Sequence, residues 1–198
     1  MTIQLDDAAW GSLVLGVLVG ACRVESPITQ HAFKEIPVGM FQGEAYQKKH
    51  YLHVAADLAV QLMRELRVMP GEEVHVCTAH VLEEARARLV AKGYTVIPGK
   101  IGEPLQTLIE QELLNRVLAL GVRTDLETLT TKQGLYFWQC VNWLKAGDMN
   151  GKAIAQRAQH CKTGWPSYEI WANYPYQRAK MLAKQHRAEK RRQRRPFD

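Results

Sequence analysis

The chain has no closely spaced cysteines. Its four, Cys22, Cys77, Cys140 and Cys161, stand far apart and form no CxxC, which argues against a zinc ribbon or a disulfide framework. Reduced thiols and a cytoplasmic location are expected. Also missing are an HExxH, a Walker A loop, a GxGxxG and a Gly-x-Ser-x-Gly elbow. Gly99-Lys100-Ile101-Gly102 sets a lysine after a glycine but lacks the spacing and the Ser or Thr of a phosphate loop. The apolar run Leu13 to Cys22 contains Gly16 and Gly20 and follows Asp6 and Asp7. It is too short to span a bilayer and lacks the basic start of a signal peptide, so it reads as a buried strand, with no membrane partner.

Net positive charge is absent until the end of the chain. Residues 1–175 carry 17 Lys or Arg against 18 acids, whereas Tyr176 to Asp198 carry nine against two. The net +6 is therefore a property of the last segment, concentrated in Arg187, Lys190, Arg191, Arg192, Arg194 and Arg195. Such a block is an electrostatic footprint for polyanions, because each phosphate contact releases counterions. Without a partner it is a solvated terminus.

At 198 residues, 46% hydrophobic and 23% charged, the chain has the size and composition of one medium domain with an appendage. Ser12 to Val24 is rich in Val and Leu, turns at Glu25-Ser26-Pro27, and is followed by the loose alternation of Ile28 to Ile36; together they predict a hairpin. From Glu44 to Val68 the period becomes helical, with Leu52, Ala55, Ala59, Leu62, Met63 and Leu66 on one face. Pro70-Gly71 stops that helix. Strand Glu73–Thr78, helix Val81–Lys92, strand Tyr94–Ile97 and helix Leu105–Leu120 then follow, and short connections between them imply parallel pairing. The predicted fold is an α/β layer.

Leu126 to Tyr176 holds nine of the sixteen aromatic residues. Short helices are expected over Gln133–Lys145 and Lys152–His160, then a turn at Thr163-Gly164-Trp165-Pro166. A last helix runs from Ser167 into the basic tail, interrupted near Pro175. The expected organisation is a core over residues 1–124 and a helical, aromatic-rich extension over 125–198.

The stretch Leu5-Asp6-Asp7-Ala8-Ala9-Trp10-Gly11 before an apolar strand resembles the opening of the type 2 ribonucleases H. The order of elements resembles the ribonuclease H-like mixed sheet with flanking helices. That resemblance implies a nuclease in which carboxylates of the first strand, the fourth strand and a later helix hold Mg²⁺ or Mn²⁺ for phosphodiester hydrolysis. Asp6 matches the first carboxylate, and Asp7 takes the place of its glutamate partner. Ala8-Ala9-Trp10-Gly11 departs from the family's Gly-Arg-Gly. The fourth strand ends Cys77-Thr78-Ala79-His80, without an acid.

On the later helix the candidates are Glu110 and Glu112. Glu112 falls inside the edge of the Leu105-Ile109-Leu113-Leu120 stripe and is preferred, because an acid facing the core needs a reason. Asp6, Asp7 and Glu112 are thus the expected catalytic and metal-binding set. Trp165, in a turn resembling the family's Gly-Tyr element, joins the basic residues of the tail as the expected nucleic-acid surface, since rings stack on bases while Arg and Lys track phosphates. Missing the fourth-strand acid, the same fold also fits a catalytically inactive nucleic-acid-binding or scaffold protein. A third reading makes the aromatic segment a protein-partner surface. His50, His53 and Asp57 are spaced to ligate a metal but lie opposite the apolar stripe, as an exposed polar face does.

Overall fold

Alternation along Thr2–Ala8 (β1) buries Ile3 and Leu5 on one face of a sheet whose centre this strand occupies. In the computed structural model, which describes residues 2–25 and 28–193, β1 pairs antiparallel with Val17–Glu25 (β2). Strand β2 in turn pairs antiparallel with Ile28–Ile36 (β3). Gly16 opens β2 where a Cβ would come within 1.8 Å of the Ile36 carbonyl oxygen, so only glycine fits that approach.

The long helix expected over 44–68 is two helices, Gly43–Gln47 (α1) and His50–Glu65 (α2), parted at Lys49, whose φ is +55°. The bend stacks Tyr46 on Tyr51 at 5.9 Å between ring centres. Glu73–Cys77 (β4) then lies parallel to β1, and Glu83–Ala91 (α3) leads to Thr95–Gly99 (β5), parallel to β4. Pro98 is accommodated because β5 is an edge strand. The five strands run in the order β3-β2-β1-β4-β5.

The sheet separates two cores. On one face Ile3, Leu5, Val17 and Val19 meet α2 and α3. On the other, Leu18 packs against Leu105–Ala119 (α4) and the C-terminal helices. These helices are Leu126–Thr131 (α5), Gln133–Leu144 (α6), Ala155–Ala158 (α7), Pro166–Asn173 (α8) and Tyr176–Gln193 (α9). Leu18 and Ile109 share one buried cluster with Cys140 and Trp171. The C-terminal segment is thus the cover of the sheet's second face. The break before α9 falls at Pro175, as expected, and α7 is shorter than its predicted span. Among the described residues no helix is long and apolar enough to cross a membrane.

Candidate functional site

Strands β1 and β4 run parallel with Leu5 opposite Val76, so their C-terminal ends bring the next residues, Asp6 and Cys77, side by side. Asp6, Asp7 and Cys77 each offer a donor atom, and these atoms lie within 4.8 Å of one another. The cluster opens on a cleft of about 430 Å³ whose walls include Lys100, Gln106, Glu110, Thr130 and Tyr136.

Confinement sets the protonation of the group. Burial raises the Asp6 carboxyl, while hydrogen bonds from the Cys77 thiol and from the Asp7 N–H (2.8 Å) pull it back. Asp7 is pushed up to about 7 by burial and by the neighbouring charge of Asp6, against the pull of Lys162. The Cys77 thiol is pushed up to about 12, mainly by burial, and stays protonated at neutral pH.

The connection from β1 to β2 follows directly on this site and is clamped from the far end of the chain. Ala9 and Leu15 hold φ of +71° and +64°, a region costly for residues with a Cβ. Leu15 donates its N–H to the His160 carbonyl at 2.8 Å, and the Lys162 N–H bonds the Leu13 carbonyl at 3.0 Å. The Lys162 ammonium donates to the carbonyls of Ala9 and Trp10. It also lies 4.9 Å from the Trp165 ring centre and 5.2 Å from that of Phe41, and burial lowers it to about 7. Ser12 Oγ meets the Tyr136 hydroxyl at 2.8 Å, tying the turn to α6.

No protein-family model matches the chain, and no curated protein matches it.

The expected residues divide. Asp6 and Asp7 converge, and Cys77 joins them from the fourth strand. Glu112 does not line the cleft. Its carboxylate accepts from Arg116 Nε at 2.7 Å, and the same guanidinium reaches Glu35 of β3 at 2.9 Å, so Glu112 belongs to a clamp between α4 and the sheet. Glu110, ranked second from the helical wheel, faces the cleft and is held by Gln106 at 3.3 Å. Trp165 packs on Trp10 at 6.1 Å and shares a groove with Arg187 and Lys190. Arg191 and Arg192 follow on α9, whereas Arg194 and Arg195 lie outside the described residues. The His50, His53, Asp57 face is engaged by α3: His53 Nδ1 meets Glu84 at 2.5 Å, and Asp57 pairs with Arg88.

Two members of the site carry no sequence signal. Lys162 is a lone lysine between Cys161 and Thr163, and only the packing of that segment on the β1–β2 connection brings it near Asp7. The cleft-lining role of Tyr136 depends in the same way on α6 folding back over the turn.

Proposed function

We propose that the protein is a divalent-metal-dependent nuclease of the ribonuclease H-like kind, acting on phosphodiester bonds at the cleft above Asp6 and Asp7. The observation that carries this reading is the convergence of the acid pair with the end of the adjoining parallel strand over an open cleft. The strand order β3-β2-β1-β4-β5, antiparallel through the first three strands and parallel beyond, supports it. That topology is compatible with the ribonuclease H-like fold.

The donor set fits a hard cation. Two adjacent carboxylates with raised proton affinity are groups that a cation would relieve of mutual repulsion. Asp6 and Asp7 would hold it, with Glu110, which lines the same cleft outside the converged group, as the candidate third oxygen donor; a protonated Cys77 thiol is a poor ligand for Mg²⁺. When bound, the ion supplies charge neutralisation at the phosphoryl oxygens and an acidified water. Lys100 adds positive charge to the same cleft for the phosphate. Lys162 fixes the carbonyls of the turn that follows the acid pair. The Arg-rich α9 and Trp165 supply the nucleic-acid surface.

A second reading, an inert nucleic-acid-binding protein on the same frame, is favoured by one feature: a thiol stands where the fourth-strand carboxylate is required. Calorimetry with Mn²⁺ on the wild-type chain and on Asp6→Asn/Glu110→Gln separates these readings. Micromolar binding lost in the double variant, with hydrolysis of DNA, RNA or hybrid in the wild type, supports the nuclease. Binding without hydrolysis of any of the three moves the assignment to the inert protein. Binding unchanged by the substitutions overturns the site.

A further inference from the structure

Helix α9 is flanked by two grooves that meet across it. The first, about 490 Å³, is walled by Trp10, Tyr46 and Trp165 and edged by Arg187 and Lys190. The second, about 630 Å³, is walled by Trp138 and edged by Lys180 and Lys184. Trp171, Ala183 and Arg187 line both grooves, so the two adjoin at these side chains. At its other end the first groove reaches Gly11, which also lines the acidic cleft. The three hollows therefore adjoin one another in turn, from Trp138, over the basic side of α9, past Trp165 and Trp10, to the cleft of Asp6 and Asp7.

We infer that this surface is the path of a single-stranded polynucleotide, with unpaired bases against the tryptophans and its phosphates on the basic residues of α9. The inference rests on the nucleic-acid reading above and deepens it by naming the substrate class.

Charge selects a polyanion. From Lys180 to Lys190 the helix presents Lys180, Lys184, Arg187 and Lys190 against one acid, Glu189. That acid lines a different hollow, with Glu169 and His186. The four basic side chains are exposed. Among the described residues none of the four has a carboxylate partner, whereas several cations of the body do: Arg23 pairs with Glu72, Lys34 with Glu65 and Arg116 with Glu35 and Glu112. A row of unpaired cations on one helix gains most from phosphates, which release counterions on contact.

The rings select a single strand. Trp10, Trp138 and Trp165 are half-buried, and their grooves are hollows on the surface. A ring there stacks on a base whose face is free. In a duplex both faces of each base are occupied, leaving only the phosphates to bind. Trp171, by contrast, is buried against Trp138 at 4.6 Å and serves as the floor.

The test is fluorescence anisotropy on the full chain in EDTA, with labelled dT20, U20 and a 20-base-pair duplex as probes. Single strands are expected to bind at least roughly tenfold more tightly than the duplex and to quench tryptophan emission. The exposed pair Lys184→Glu/Arg187→Glu is expected to lower single-strand affinity at least roughly tenfold, while circular dichroism stays unchanged. The preference between dT20 and U20 then distinguishes a DNA from an RNA substrate. Equal affinity for duplex and single strand, or affinity untouched by the charge reversal, overturns the inference, as does an acidic polypeptide that displaces dT20 at equal charge concentration. Because no metal is present, a failed Mn²⁺ titration removes the cation site alone, and a failed strand preference removes the path alone.

Discussion

Asp7 and Lys162 are two buried ionisable groups whose environment favours the neutral form of each, and their linkage to folding has opposite signs. The folded Asp7 carboxyl is raised to about 7 from 3.8, so its contribution to stability is complete below pH 3.8 and is lost as pH rises toward 7. The folded Lys162 ammonium is lowered to about 7 from 10.5; its contribution is complete above pH 10.5 and is lost as pH falls toward 7. Together they predict a trough in stability near neutral pH in EDTA. Melting temperatures across pH 4–10 check this: Asp7→Asn is expected to remove the acid limb and Lys162→Met the alkaline limb. A wild-type curve without a trough, or one that neither substitution alters, refutes the pairing. Mn²⁺ at a hundredfold excess over its Kd is expected to add about 2.7 kcal/mol at pH 7. In Asp7→Asn that gain is expected to shrink.

Helix α4 shows how one element divides its acids between structure and site. Ile109, Leu113 and Val117 are buried under it. Arg116, held by Glu112 one turn before it, reaches across to Glu35 of β3. Glu110 lies on the flank toward the cleft. Glu112→Gln is expected to cost about 1 kcal/mol, the scale of a half-exposed ion pair, and to leave Mn²⁺ affinity unchanged. Glu110→Gln is expected to weaken Mn²⁺ at least roughly tenfold with stability nearly unchanged. Chemical denaturation beside calorimetry reads both quantities; the opposite pattern would restore Glu112 to the site. The helical wheel located the apolar stripe of α4 because burial obeys the 3.6-residue period. It could not rank the two acids, since Glu112 has its partner in Arg116 one turn on, and only the fold brings that guanidinium to Glu35 of β3. The hairpin, α4, α6 and the break at Pro175 were legible from composition and turn residues alone. Strand β1 was not, because Asp6-Asp7 interrupts its alternation, and the resemblance rather than the pattern drew attention to it. Helix α5 was missed although Asp125 caps it by accepting from the Thr128 N–H at 2.7 Å; six residues give too short a period to read.

At the scale of the whole molecule, a nearly neutral body carries its positive charge at one end, and the fold returns that end to the site. Ala179 and Ala183 of α9 are buried in the second core, which anchors the helix beside α8 and aims its later residues along the grooves. Anchor and cations are therefore separable. Deleting residues 187–198 removes Arg187, Lys190, Arg191, Arg192, Arg194 and Arg195 and spares both alanines. The melting temperature of the truncated chain is expected to stay within a few degrees of the wild type. The slope of log affinity for dT20 against log salt is expected to fall by about 2 to 4, because each single-strand phosphate neutralised contributes roughly 0.7. Anisotropy titrations from low to moderate salt measure this slope directly. A slope that does not change would mean the anchored cations Lys180 and Lys184 and the cleft lysine Lys100 carry the binding, and the terminal block would drop out of the recognition surface. A slope that falls while the residual affinity still favours single strand over duplex would assign attraction to the tail and strand discrimination to the tryptophans.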